Sequence, residues 1–260
     1  MAETTQTIET KVFGAPLSWI ALSAAIIAAT SLIPAFPYPE GGGFDALAAH
    51  LIPLFALILG PWAGWLAATI GGIIGMFICP PAYIMGFLTV VDNNMAAAYT
   101  MGAVAQDRWN WTKKLYIPFW ISQIAITNIV PYYWPGPPKY SPVIQPEYFL
   151  SYLPWLIWFP IYLTPLGLKK VPEWLRSDNP KKLFMGVWLA LAMQSGCWYY
   201  TWWWIYNVVF AYPCLVNLLQ NVYYYSWIWY LKNTLLTPLY VAVIRALKRA
   251  GVEKVPGSVL

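Results

Sequence analysis

The apolar residues of this chain fall in long uninterrupted blocks, from Leu17 to Phe36 near the start to a last block over residues 222–246. At roughly 17 to 29 residues each, they match what a helix needs to cross a hydrocarbon core about 30 Å thick, at about 1.5 Å of rise per residue. The blocks are apolar on all sides and lack the alternation of a barrel strand, so helices are the structure that satisfies their backbone in lipid. Only 10% of the 260 residues are charged, whereas a soluble domain is about a quarter charged. The expected fold class is therefore all-α: a polytopic, multi-pass protein of the cell membrane with about eight transmembrane helices and the lipid bilayer around it.

Spans are expected at 17–36, 44–60, 61–79, 83–105, 115–134, 149–168, 183–211 and 222–246. Gly60-Pro61 marks a tight reversal, and Cys79-Pro80-Pro81 ends the third span because proline cannot donate the next backbone bond. The first block follows Glu3, Glu9 and Lys11 rather than a basic leader and exceeds a signal-peptide core, so it reads as a retained helix.

Orientation follows from Lys and Arg, because short basic loops resist translocation. With both ends inside, every one of the 15 basic residues except Lys139 and Lys232 is cytoplasmic. The net charge of +5 is thus a topology signal, and no nucleic-acid patch is expected.

Two similar segments recur. Asn110 to Leu115 (NWTKKL) opens the fifth span and Asn179 to Leu183 (NPKKL) the seventh, while Leu-Thr-Pro-Leu occurs at 163–166 and 236–239. A duplicated hairpin and chance likeness between basic loops both account for this. The corresponding division is a cytoplasmic N-terminal segment (1–16), a four-helix unit (17–114), two hairpins (115–178 and 179–250) and a cytoplasmic tail (251–260).

Small residues form ladders: Ala21, Ala25 and Ala29 in the first span, and Ala63, Ala67, Gly71 and Gly75 in the third, with Gly64, Ala68 and Gly72 beside them. Such rows let helix backbones approach closely in lipid, either within the fold or against a second protein.

Polar residues at membrane depth mark a site by default. Asp92, followed by Asn93 and Asn94, lies midway along the fourth span; it reads as a ligand contact or as a structural bond to a neighbouring helix. His50, the single histidine, is a weaker candidate. Glu40 and Asp45 bracket Gly41-Gly42-Gly43 in the first outside loop, either a mobile gate or a hydrated turn. The tract Trp198 to Tyr206 and the later Tyr223 to Tyr230 form an aromatic belt at the headgroups, or turn some rings inward to stack on a ligand. Trp198 and Trp202 are the ring candidates, and Asn207 and Asn221 supply amides at similar depth. Cys79, Cys197 and Cys214 lack CxxC spacing and read as packing residues. No HExxH, GxSxG, Cys/His pair or phosphate loop occurs, so neither catalytic residues, metal ligands nor cofactors are expected, and the chain does not read as an enzyme.

The Ala21/Ala25/Ala29 ladder, the outside loop Pro37 to Asp45, Gly60-Pro61-Trp62-Ala63-Gly64 and Gly71-Gly72-Ile73-Ile74-Gly75 resemble the S component, the substrate-binding subunit, of energy-coupling factor vitamin transporters. The ending Asn233 to Leu236 through Arg245 to Lys248 is similar to that family's last helix. Family members usually have six helices with both ends inside; this chain is expected to have two more. The resemblance implies ligand binding near the outer face beneath the first loop, with the stretch Glu40 to Asp45 as its gate. It also implies docking of Ala21, Ala25 and Ala29 on a transmembrane coupling subunit that works with separate ATPases. The expectation is thus a binding subunit for uptake of a small vitamin-like micronutrient. The alternative is a structural or accessory subunit of another membrane complex, with the Trp/Tyr-rich helices as its protein or lipid interface.

Overall fold

The computed structural model describes residues 10–38, 42–133, 154–204 and 226–260. The protein is mostly α-helical, with two short two-stranded hairpins among the described residues. The hairpin β1 (Lys11–Val12) and β2 (Ala15–Pro16) leads into α1 (Leu17–Thr30). A second hairpin, β3 (Pro34–Pro37) and β4 (Phe44–Ala46), precedes α2 (Leu47–Leu59) and α3 (Pro61–Ile78). After a 3₁₀ turn at Pro80–Ala82 comes one rod in three parts: α4 (Phe87–Thr89), a π-helical stretch (Val90–Ala96) and α5 (Ala97–Val104). The second half holds α6 (Trp111–Tyr133), α7 (Trp158–Leu163), a π-helical turn (Leu166–Lys170) running into α8 (Val171–Leu175), α9 (Pro180–Trp204) and α10 (Ser226–Arg249).

Every expected span overlaps helix in the described residues, but the first two are shorter than expected and the sixth is broken at Thr164, where α7 ends. Residues 34–37 leave the first span because prolines at both ends cannot serve a helix interior, yet suit an edge strand. They pair antiparallel with β4, Phe36 opposite Asp45 and Pro37 opposite Phe44, with a bulge between Pro34 and Phe36. The second helix accordingly starts at Leu47, not at residue 44. Among the described residues, α3 is the one helix with both the length and the apolar composition to cross a membrane.

The third-span ladder is the packing seam of the first half. A methyl group on Gly64 would lie 2.6 Å from the Ala56 Cα of α2, and one on Gly71 would lie 2.6 Å from the Ala24 carbonyl oxygen of α1. In α1 the buried row is Ser23, Ala24, Ile27 and Ala28, while Ala21, Ala25 and Ala29 are exposed with Leu22 and Ile26. The two small-residue rows therefore divide: one closes the fold, the other faces outward. Gly71→Ala is expected to cost about 1–3 kcal/mol of stability, because the overlap is with backbone that cannot rotate away. Thermal melts of the purified protein check this; an unchanged midpoint would mean that the seam is looser than described.

The two repeated openings play the same part. Asn110 Oδ1 accepts the Lys113 backbone N–H (3.1 Å) at the start of α6, and Asn179 Oδ1 accepts those of Lys181 and Lys182 (2.9 and 3.3 Å) at the start of α9. Each asparagine caps its helix. The two Leu-Thr-Pro-Leu stretches diverge: Thr164 is extended and breaks the chain between α7 and the π turn, whereas Pro238 sits inside α10.

One end of the molecule gathers the cations. Lys113 Nζ donates to the carbonyls of Gln106 (2.8 Å) and Leu168 (2.6 Å), and Arg176 donates to the Ala105 carbonyl (2.7 Å). Cations here meet the unpaired carbonyls that follow α5. The segment 251–260 is not a loose tail: Val255, Ser258 and Val259 are buried, Val259 N–H donates to the Leu57 carbonyl (2.9 Å), and Pro256 packs on Gly14 and Gly60. Among the described residues, every Lys and Arg except Lys232 belongs to this end.

Candidate functional site

At the opposite end, the β3–β4 hairpin folds inward. A methyl group on Gly43 would strike the Pro81 carbonyl oxygen and the Ile84 side chain, so the hairpin rests on the turn that follows α3. Asp45 on β4 is buried and immediately precedes α2, whose first turn carries buried His50. His50 Nε2 lies 3.3 Å from Asp45 Oδ2. The Phe36 ring of β3 stacks on the imidazole at 5.5 Å, and Tyr240 Oη donates to the His50 carbonyl. Burial pushes the Asp45 carboxyl up to about 7; the Lys232 ammonium and the Ala46 backbone N–H pull the other way without cancelling it.

Asp92, Asn93 and Asn94 occupy the π-helical stretch, and all three are buried, Asp92 at 0% exposure. A π turn adds a residue per turn and leaves the regular ladder of carbonyls incomplete, a distortion found often at functional sites. The Asp92 carbonyl is satisfied from another helix, by Trp198 Nε1 of α9 at 2.9 Å. Gly72 of α3 makes room for Asn94, whose amide carbon would sit 2.6 Å from a methyl group there. Next to it, Ser31 Oγ donates to the Ile27 carbonyl and so accepts from Tyr83 Oη (2.9 Å).

Lys232 of α10 completes the cluster. Its ammonium lies over the Trp229 ring and 5.6 Å from the centre of the Trp198 ring, and its charge acts on Asp45. Trp229 packs edge-on to Trp198 (4.5 Å), His50 (5.9 Å) and Trp155 (6.2 Å). A small cavity touches His50, Gln194, Trp198, Trp229, Lys232 and Asn233.

Several buried polar atoms around this point have no hydrogen-bond partner among the described residues: both carboxylate oxygens of Asp92, Asp45 Oδ1, His50 Nδ1, Gln194 Nε2 and Asn233 Oδ1. Each such atom costs about 1–3 kcal/mol, and folded proteins keep few of them. Here they converge from β4, α2, the π stretch, α9 and α10. The cavity is about 10 Å³, the room of a single water, and the groups around it are acceptors, donors, one cation and the indoles of Trp198 and Trp229.

Of the residues expected from sequence, His50 and Trp198 line the same cavity, Asp92 joins them through its backbone bond to Trp198, and Asn93 is buried beside Asp92 with no contact to the cavity shown. Glu40, Asn207 and Asn221 lie outside the described residues, and Trp202 is placed only as helical backbone of α9. Trp198 and Trp229 turn inward while Trp227 is 75% exposed, so the aromatic tracts serve both interior and surface. Lys232, Gln194, Trp229 and Asn233 were not singled out as site residues; the available signals were that Lys232 breaks the basic-residue distribution and that Trp229 lies in the second aromatic tract. No family model, no curated protein and no solved structure matches the chain.

Proposed function

We propose that this chain is a membrane-embedded substrate-binding subunit for uptake of a small, vitamin-like micronutrient, an S-component-like protein that depends on a separate coupling subunit and ATPases. The observation that carries this reading is the convergence of unpartnered buried polar atoms and indole faces beneath the β3–β4 hairpin. A site of this chemistry stores binding capacity for a ligand, whereas a purely structural core would have satisfied those atoms within itself.

Three further features support it. Trp227, Leu231, Leu235 and Leu239 form an exposed apolar stripe at four-residue spacing on α10, and Ile70, Ile73, Ile74 and Phe77 do the same on α3, as lipid-facing helices require. Basic residues gather at the end away from the site, in keeping with a hairpin that faces outside on this reading. Ala21, Ala25 and Ala29 face outward on α1, free for a coupling subunit.

The test is a thermal-shift and native mass spectrometry screen of the purified protein against vitamins and related small nutrients. One ligand is expected to bind at one copy per chain and raise the melting temperature. Its affinity is expected to depend on pH around 7, where the buried Asp45 carboxyl changes charge. Below that pH the carboxyl is neutral, which favours an anionic ligand; above it the carboxylate favours a cationic one. Uptake by cells is expected to fall when Ala25→Leu blocks the outward face of α1. A screen without a single binder, or uptake unaffected by Ala25→Leu, would sink the proposal. A stable co-purifying assembly without ATPases would put the accessory-subunit reading in its place.

A further inference from the structure

The basic end holds a second cavity, far from the polar cluster. α10 carries Arg245, Lys248 and Arg249 at positions i, i+3 and i+4, so the three cations share one face of the helix. That face meets the turn between α8 and α9, and a cleft of about 310 Å³ opens there, lined by Arg245, Lys248, Arg249 and Asp178. Lys248 Nζ donates to the Arg176 carbonyl (2.9 Å) and lies 3.8 Å from Asp178 Oδ1, whose side chain is almost wholly exposed. Arg176 and Lys254 add positive potential at Lys248.

The balance of charge is therefore unfilled. Lys11, Lys170 and Arg176 each have a carboxylate within ion-pair distance, from Glu253, Glu173 and Asp107. Among the described residues, Arg245 and Arg249 have none, although both line a concave surface. Two guanidinium forks with an ammonium between them suit an oxyanion with several acceptor oxygens, and one solvated carboxylate does not neutralise them. Arg245 and Lys248 are half-buried in the cleft, and Arg249 is exposed beside them.

We propose that this cleft binds a phosphate group, carried by the headgroup of an anionic phospholipid or free in solution. The position at the end of an apolar-faced helix brings the cations to the level of lipid phosphates, where basic pockets between helices recognise such headgroups. The inference goes beyond the uptake reading and stands without it.

Delipidated protein in detergent, offered dioleoyl phosphatidylglycerol or dioleoyl phosphatidylcholine in native mass spectrometry, is expected to retain the former preferentially. Arg245→Gln with Arg249→Gln is expected to lower that preference by about 30-fold, the effect of removing two basic residues near a membrane surface. Arg245→Lys with Arg249→Lys is expected to keep most of it. In the unmodified protein, inorganic phosphate that displaces phosphatidylglycerol would support the same site through its shared chemistry. Phosphate that raises the melting temperature where neither lipid is preferred would assign the source to solution. Equal retention of both lipids with no response to phosphate overturns the proposal, as does a Gln/Gln variant that keeps the full preference with an unchanged melt.

Discussion

Asp92→Asn is expected to weaken ligand binding by about 30- to 1000-fold while leaving the ligand-free protein as stable as before, or more so. The two effects run in opposite directions for one reason. Both carboxyl oxygens of Asp92 are buried and unpartnered among the described residues, a burial cost that asparagine lowers. A ligand that supplies donors to that carboxylate gains a charge-assisted contact, and losing one partner of such a buried pair costs about 2–5 kcal/mol. The backbone bond from Trp198 Nε1 to the Asp92 carbonyl is untouched by the substitution, so the helix contact persists. Calorimetric titration and ligand-free melts measure the two halves. Affinity within about threefold of the parent, together with a lower ligand-free melting point, would make Asp92 a structural residue and remove it from the site.

Trp229→Ala is expected to have the largest effect on stability, about 3–5 kcal/mol, in line with removal of a buried indole. Trp229 is the hub of the aromatic group: it touches Trp198, His50 and Trp155 and lies beneath the Lys232 ammonium. Its loss leaves a void and strips a cation of the ring face on which it rests. Trp227→Ala, two residues away on the exposed side of the same helix, is the matched control and is expected to change stability by less than about 0.5 kcal/mol in detergent. Equal losses from the two substitutions would contradict the inward and outward assignment of these rings.

Much of the fold was legible because hydrophobic blocks, glycine ladders and capping asparagines are local signals. The α3 seam follows directly from Ala63, Ala67, Gly71 and Gly75, since close helix contact demands small residues at that spacing. The capping asparagines were visible as a repeated opening, though their role emerged only from the bonds they make. Asp92 stood out because a carboxylate within an apolar run has few inexpensive explanations. What did not read out was convergence. Pro34 to Pro37 is apolar enough to pass for helix, and only its pairing with Phe44 to Ala46 turns the loop inward and buries Asp45 beside His50. Gln194, Trp229, Lys232 and Asn233 sit on two helices that meet β4 and the π stretch from across the protein, and no sequence period encodes such a meeting. The π turn itself has no compositional mark. Nor did the segment after Gly251 look structured, since a Val-Pro-Gly-Ser-Val stretch resembles any polar end until its buried valines are seen.

That segment has a bearing on how the protein is made. Gly257 accepts a hydrogen bond from Gln106, 151 positions earlier, and Val259 donates to Leu57 at the foot of α2. The clasp over the α2–α3 joint is thus assembled from the first half and the last quarter of the chain, and it is synthesised after every helix it closes. Until then the Leu57 carbonyl and the Gly60 bend face water or whatever attends the nascent chain. Contacts of such long sequence separation form late. The α2–α3 joint therefore stays open until the chain beyond α10 has been added and folds back onto it.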